Sequence, residues 1–331
     1  MPIVCATDLS QPARAGVEAA AAVARVLRDA LYLVHVVASD DYGDTATLMA
    51  RRANAEAALG RLTTALPGVQ VRPFVVAGSA HQAITQFAEQ SKASLIMLAS
   101  SGHATSSLFR VGGSSERIVY SSSLPVLVVR DAAPFLAWAD GKRPLRVLLA
   151  VGETPEAEGL VQWTRQLRAA APCDVTVANV YYASDAWQRF GVPATGAQLQ
   201  PDAQLEALVG RELRQRVGDL GGAGEVRWRP IQGLGRAADY LLNEAELMKA
   251  DLVVMGAHRA RGPARLWSTT AALLHYGTGS VLCVPQAESA PVPRRVPPVR
   301  SVLVATDFDA AAGRAVGAGL SLVENRSDAK L

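Results

Sequence analysis

Aromatic side chains are scarce, at 5% of the 331-residue chain, and the net charge of +3 is small for that length. A nucleic-acid surface would want a basic patch interleaved with aromatic rings, so that class is excluded. No long hydrophobic run is present. The most apolar helical stretch, AGVEAAAAVARVL, carries Glu18 and Arg25 and is far too short to span a bilayer. The start, MPIVCATDLSQP, lacks a basic region followed by an apolar core, so no secretory signal is expected and the cytoplasm is the expected location. Cysteine is sparse too: Cys5, Cys173 and Cys283 lie far apart, each in or beside an apolar run, and read as small core residues because no pair has metal or redox spacing. P-loop, Gly-x-Ser-x-Gly elbow and clustered metal ligands are all missing.

What is present is a repeat. Half of the residues are apolar and about a fifth charged, enough for two domains with full cores. The opening run IVCATDLSQPARAGVEAAAAVARVL matches VLLAVGETPEAEGLVQWTRQL and, near the end, VLVATDFDAAAGRAVGAGLSLV. Asp8, Gly152 and Asp307 are then equivalent, in steps of 144 (152 minus 8) and 155 (307 minus 152). FVVAGSAHQAITQFAEQSKASLIMLASSGH aligns with PIQGLGRAADYLLNEAELMKADLVVMGAHR, and LPVLVVRD with GSVLCVPQ. Each full repeat alternates β-branched runs with amphipathic helical runs, and runs such as LIMLA are apolar on both faces. That pattern predicts an α/β fold, an open parallel five-stranded sheet with helices on both sides and right-handed crossovers. The repeat-one strands are expected near 2–7, 31–37, 71–76, 94–99 and 125–129. The division is domain one over 1–131, a linker at 132–144, domain two over 145–286, a Pro-rich linker at 287–299, and a partial third repeat of one strand and one helix at 300–331.

Ligands of such sheets bind at the carboxyl ends of the strands where the strand order reverses. Thr7 and Asp8 follow the first strand, Val36 and Val37 end the second, and Ala99 to Gly102 follow the fourth. A carboxylate at Asp8 can accept a hydrogen bond from an amino group or a sugar hydroxyl; equally, Asp8 and Ser10 precede a helix, and capping would explain them. The stretch GHATSSLFRVGGSSERIV offers glycines and a helix start, where main-chain N–H groups and hydroxyls can meet an anion. Capping would again explain its serines.

Ala99-Ser-Ser-Gly102, nine further residues, then Gly112-Gly113-Ser114-Ser115-Glu116 and LPVLVVR resemble the nucleotide motif of universal stress proteins. The pattern there is Gly, two residues, Gly, nine residues, Gly, then Ser or Thr, and the resemblance runs through both full repeats and the partial third. It implies a Rossmann-like, adenine nucleotide alpha hydrolase-like fold and a regulatory or protective module in stress response rather than an enzyme. It further implies ATP, with or without Mg2+, as cofactor. Carried over, Asp8 and Val36 would hold adenine and ribose, and Gly102, Gly112, Gly113, Ser114 and Ser115 the phosphates; Thr7, Ala99 and His103 complete the candidate cofactor-binding set. Ala99 stands where a Gly is expected and Gly113 where a hydroxyl residue is expected, with Ser114 as a replacement hydroxyl.

Repeat two departs further. Gly152 replaces the Asp, Arg259 the second Gly and Thr269 the third, whereas Gly256 and Thr270 fit; with His258, Arg261 and Arg265 the loop is basic, and the repeat is expected to be mainly structural. Repeat three has Thr306 and Asp307 but no glycine loop. Gly233-Leu-Gly235-Arg-Ala-Ala238 mimics a dinucleotide fingerprint but follows a third strand without an acidic partner. His35, in LVHVV, reads as a core or sheet-edge histidine. The resemblance puts the last strands, Val126 to Val129 and Val281 to Val284, at the sheet edge, where they are expected to pair across a pseudo-twofold axis; a homodimer is a further option. The competing readings are a scaffold of the same fold that binds no nucleotide, and a hydrolase or nucleotidyl-transfer enzyme, which fold by itself does not license.

Overall fold

The computed structural model describes residues 1–38, 45–100, 113–152, 157–191, 202–257 and 268–285. Gly102, His103, Gly112, the basic loop from His258 to Arg265, the Pro-rich linker and the partial third repeat lie outside the described residues.

Repeat one runs β1 (Ile3–Ala6), α1 (Arg14–Leu27), β2 (Leu31–Val37), α2 (Thr45–Thr64), β3 (Val71–Ala77), α3 (Ala80–Gln90), β4 (Leu95–Ala99), α4 (Gly113–Ser121) and β5 (Val126–Val129). After α5 (Ala133–Ala139), repeat two runs β6 (Leu145–Ala150), α6 (Glu158–Ala170), β7 (Cys173–Tyr181), α7 (Ala183–Phe190), α8 (Ala203–Val217), β8 (Val226–Gln232), α9 (Ala237–Leu247), β9 (Leu252–Ala257), α10 (Thr269–Tyr276) and β10 (Ser280–Pro285). The strands form one ten-stranded sheet in the order β3-β2-β1-β4-β5-β10-β9-β6-β7-β8. Every pairing within a repeat is parallel, and β5 meets β10 antiparallel with Val128 opposite Val281 and Val126 opposite Cys283.

The apolar runs are buried on both faces because successive strand residues point to opposite sides. Ile3, Cys5, Leu31, Leu33, Leu95 and Met97 pack under α1 on one face, with α5 and α6 in the same cluster. Val4, Val34, Ile96 and Leu98 pack on the other face under α3 and α4, whose counterparts α9 and α10 continue that cluster over repeat two. All three cysteines are buried and unbridged, and burial pushes each thiol up to about 12, so they act as packing groups.

The segment expected as a linker at 132–144 joins the two repeats and carries a helix packed on the core. Its α5 buries Phe135 and Trp138, Trp138 Nε1 donates to Pro172 O at 2.9 Å, and Arg25 pairs with Asp140 at 2.8 Å. Arg130, at the end of β5, further joins the halves: its Nε donates to Gly279 O at 2.9 Å and its Nη2 to Leu273 O at 3.3 Å and to Leu274 O, satisfying carbonyls at the end of α10. No helix among the described residues is long and apolar enough to cross a membrane.

Candidate functional site

The strand order 3-2-1-4-5 in repeat one reverses between β1 and β4, which lie side by side in register from Ile3 opposite Leu95 to Ala6 opposite Leu98. Asp8, Val36 and Ala99 therefore reach the same edge of the sheet, although 91 residues (99 minus 8) separate the first from the last.

The turn after β1 holds itself together with side chains. Thr7 Oγ1 accepts the Leu9 N–H at 3.1 Å, Asp8 Oδ1 the Ser10 N–H at 3.0 Å, and Ser10 Oγ the Ala13 N–H at 3.2 Å. Leu9 adopts φ 64°, a left-handed conformation uncommon for a side chain of that size. The helix itself starts at Arg14 after an N-cap Ala13 that makes no side-chain bond. Asp8 is thus the closer of a turn, not a helix cap, and its carboxylate sits exposed at the strand end.

Beside it lies a cleft of about 470 Å³ lined by Asp8, Leu9, His35 to Ala38, Arg51, Asn54 and Ala55. His35 Nδ1 lies 2.9 Å from Thr7 O. Repeat two makes the same contact at the position 144 residues on, where Asn179 Nδ2 donates to Val151 O at 2.8 Å. A side chain on the second strand pins the end of the first in both repeats, so the sheet-edge role of His35 is a property of the fold. Sequence reasoning missed Arg51 and Asn54, which only the seating of α2 brings to the cleft. Their spacing with Ala55, one helical face at i, i+3 and i+4, was the available signal.

At the other end, Ala99 occupies the position where a glycine is expected, and α1 absorbs its methyl. A Cβ added to Gly16 would lie 3.2 Å from Ala99 Cβ and 3.0 Å from its N, so the small residue has moved from the strand to the helix. Gly113 opens α4, and a Cβ there would meet nothing within 4 Å among the described residues. Ser115 Oγ donates to Ala99 O at 3.3 Å, and Thr270 Oγ1 donates to Gly256 O at 3.3 Å. These matching bonds make Ser115 the counterpart of Thr270. Repeat one spans 16 residues (115 minus 99) where repeat two spans 14 (270 minus 256), two more than the motif spacing. By this bond Ser115, two positions past Gly113, is the structural counterpart of Thr270.

In repeat two the corresponding strand end carries an apolar cluster among the described residues. Tyr181, Ala183, Ala186, Trp187, Leu205 and Val209 form a separate apolar cluster at the end of β7 between α7 and α8. With Leu59 aligned to Leu213, the α2 residues Arg51 and Ala55 correspond to Leu205 and Val209, each 154 positions on. Burial, with Glu206 and Asp202 nearby, pushes the Tyr181 hydroxyl up to about 12, so it stays protonated. Gly152 O accepts from Arg216 Nη1 at 2.6 Å. The dinucleotide-like Gly233 is explained by sterics, since a Cβ there would come within 2.9 Å of Val180 Cγ1.

A model of the universal stress protein family matches the chain twice, over residues 1–130 and 145–285. A universal stress protein from Archaeoglobus fulgidus is similar in structure with a TM-score of 0.64 at 17% identity, covering 86% of this chain and 98% of that one. A protein from Pseudomonas aeruginosa described as a universal stress protein superposes with a TM-score of 0.56 at 16% identity, covering 86% and 93%. At these identities the likeness speaks for the fold. No curated protein matches the sequence.

Proposed function

The chain belongs to the universal stress protein family, and from that premise we propose that its first repeat binds an adenine nucleotide, ATP with or without Mg2+, as a regulatory or protective module. The observation that carries this reading is the cleft of about 470 Å³ at the carboxyl ends of β1 and β2, on the edge of the sheet where the strand order reverses at β1, within the size range of small-ligand sites. Asp8 and Val36 line it, offering an exposed carboxylate for ribose hydroxyls beside an apolar strand end. Thr7 supports that carboxylate indirectly, by tying down the Leu9 N–H. Gly102, His103, Gly112, Gly113 and Ser114 are assigned the phosphates with the start of α4, whose amides have no partners within the helix. Ser115 fixes the distance from α4 to β4.

The assignment is to binding rather than turnover. His35, the imidazole at the cleft, is held against Thr7 O through Nδ1, a positioning contact that Asn179 reproduces without an ionisable group. Repeat two is assigned a structural role, and the closure of β5 on β10 makes the two repeats one sheet, a fixed platform for the first site.

Mass spectrometry of protein denatured straight after purification is expected to detect an adenine nucleotide. Calorimetric titration with ATP and magnesium is expected to give saturable heat for the wild type and none for Gly112→Val. Absence of both heat and thermal shift at millimolar ATP favours the scaffold reading, and release of labelled phosphate over hours that Gly112→Val abolishes favours the enzyme.

A further inference from the structure

A second cleft, of about 630 Å³, opens at the joint between the repeats, where β5 ends and β6, β9 and β10 begin. Its walls carry Arg130, Arg143, Arg146 and Lys249 against Asp131, Glu246 and Asp251. No single repeat contains it, because α5 and the end of β5 supply one side and the strand starts of repeat two the other.

The charges are not balanced where they are buried. The Asp251 side chain is 3% exposed and lies under two guanidiniums whose side chains are 36% and 37% exposed. Arg143 Nη1 donates to Oδ2 at 2.5 Å and Nη2 to Oδ1 at 3.0 Å, while Arg146 donates to Oδ2 through Nε at 3.2 Å and to Oδ1 through Nη2 at 2.8 Å. One carboxylate thus faces two permanent cations, and Arg143 Nε and Arg146 Nη1 are N–H groups not spent on it. Burial raises the Asp251 carboxyl, and the hydrogen bonds from Arg143 and Arg146 outweigh it, holding it below its ordinary value and ionised. Of the other carboxylates, Asp131 Oδ1 accepts the Ala133 N–H at 2.9 Å, and Glu246 stands exposed at the rim. The Lys249 ammonium lines the same wall and makes no ion pair or side-chain hydrogen bond among the described residues.

The fold does not require this cluster. Asp251 N donates to Arg146 O at 2.9 Å, and in repeat one Ser94 N donates to Pro2 O at 3.0 Å, the same strand-start bond made between uncharged residues. The pair of arginines is therefore an addition of repeat two and the joint, placed where a cleft opens.

We propose that this cleft binds a small polyanion through phosphate or carboxylate oxygens, held by the outer edges of Arg143 and Arg146 and by Lys249. Guanidinium forks and a lysine ammonium are the usual donors to such oxyanions. The ligand would bridge the start of β6, through Arg143 and Arg146, and the turn between α9 and β9, through Lys249, independently of any nucleotide at β1 and β4.

The test uses the full chain at constant ionic strength, titrated in separate arms with pyrophosphate, citrate and sodium chloride, and followed by calorimetry and thermal unfolding. Saturable binding in the pyrophosphate or the citrate arm, with chloride inert, is expected, and the stronger arm identifies the source of the oxygens. Lys249→Gln, an exposed residue, is expected to weaken that binding at least fivefold without changing the unliganded melting temperature, and Lys249→Glu to abolish it. Arg143→Gln gives a second reading if it folds. No saturable binding, an equal response to chloride, or unchanged affinity in Lys249→Gln overturns the proposal.

Discussion

Repeats one and two share a strand order and a set of pinning bonds, and differ in what fills the end of the second strand. In repeat one that end is an open cleft with Asp8, Arg51 and Asn54 on its walls. In repeat two it is a packed cluster with Trp187, Leu205 and Val209 at its centre. The bonds from His35 to Thr7 O and from Ser115 to Ala99 O recur as Asn179 to Val151 O and Thr270 to Gly256 O. What repeats is scaffold; what does not repeat is whether the strand end is open or packed.

The largest expected effect tests the seam on which the comparison depends. Val128 is 1% exposed opposite Val281. Val128→Lys would put an unpaired charge between the two half-sheets and is expected to cost about 4 kcal/mol or more. Denaturant unfolding and gel filtration would show it; unchanged stability and elution would mean the halves do not depend on each other.

Trp187→Ala removes the centre of the repeat-two cluster, where the tryptophan is 6% exposed. The expected loss is about 3 kcal/mol, with nucleotide affinity unchanged. A gain of a second nucleotide equivalent by calorimetry would show that packing by itself had closed a working site.

Asp8→Ala is expected to lower ATP affinity at least tenfold, about 1.4 kcal/mol, with a stability loss of about 0.5–1 kcal/mol from the Ser10 turn bond. Gly152→Asp, which restores the carboxylate to repeat two, is expected to gain no binding because the cluster occupies the space. The paired variants Ser115→Ala and Thr270→Val sharpen the contrast further. Each is expected to lose about 1 kcal/mol of stability, and only Ser115→Ala to weaken ATP.

The smallest effect is on acid stability. Asp251 has a carboxyl held below the ordinary 3.8 by Arg143 and Arg146 against the cost of burial. A folded value below the unfolded one means that the stabilisation is present above about pH 4 and is lost as pH falls through the folded value. Wild-type stability should therefore drop on acidification in this range, and Asp251→Asn should remove that part of the drop. Parallel pH profiles for the two proteins would contradict it.

The alternation of apolar runs was enough to read the strands, because a strand buried on both faces has few alternatives; Leu31–Val37 lies where periodicity puts it. The helix in the joint was not legible because Phe135 and Trp138 stand among turn-forming residues, and only their seating in the core cluster makes α5 a core element. That Asp8 and Val36 reach one edge of the sheet could be found by strand-end reasoning, and both line the cleft. Arg51 could not, since its approach depends on how α2 lies on β2 and β3. That Ser115 is the structural counterpart of Thr270 shows only when their bonds are compared, because a two-residue difference in a loop is invisible in the spacing along the chain.

The sequence by itself determined the repeat, the strand and helix alternation and the residues brought to the switch point, since these follow from periodicity and from chain connectivity. Only the tertiary structure decided that Ala99 is accommodated by Gly16, that one cleft is open while its twin is filled, and that two arginines share one buried aspartate at the joint. Each of those is a matter of volume or charge between residues remote in the chain, and local pattern carries no record of either.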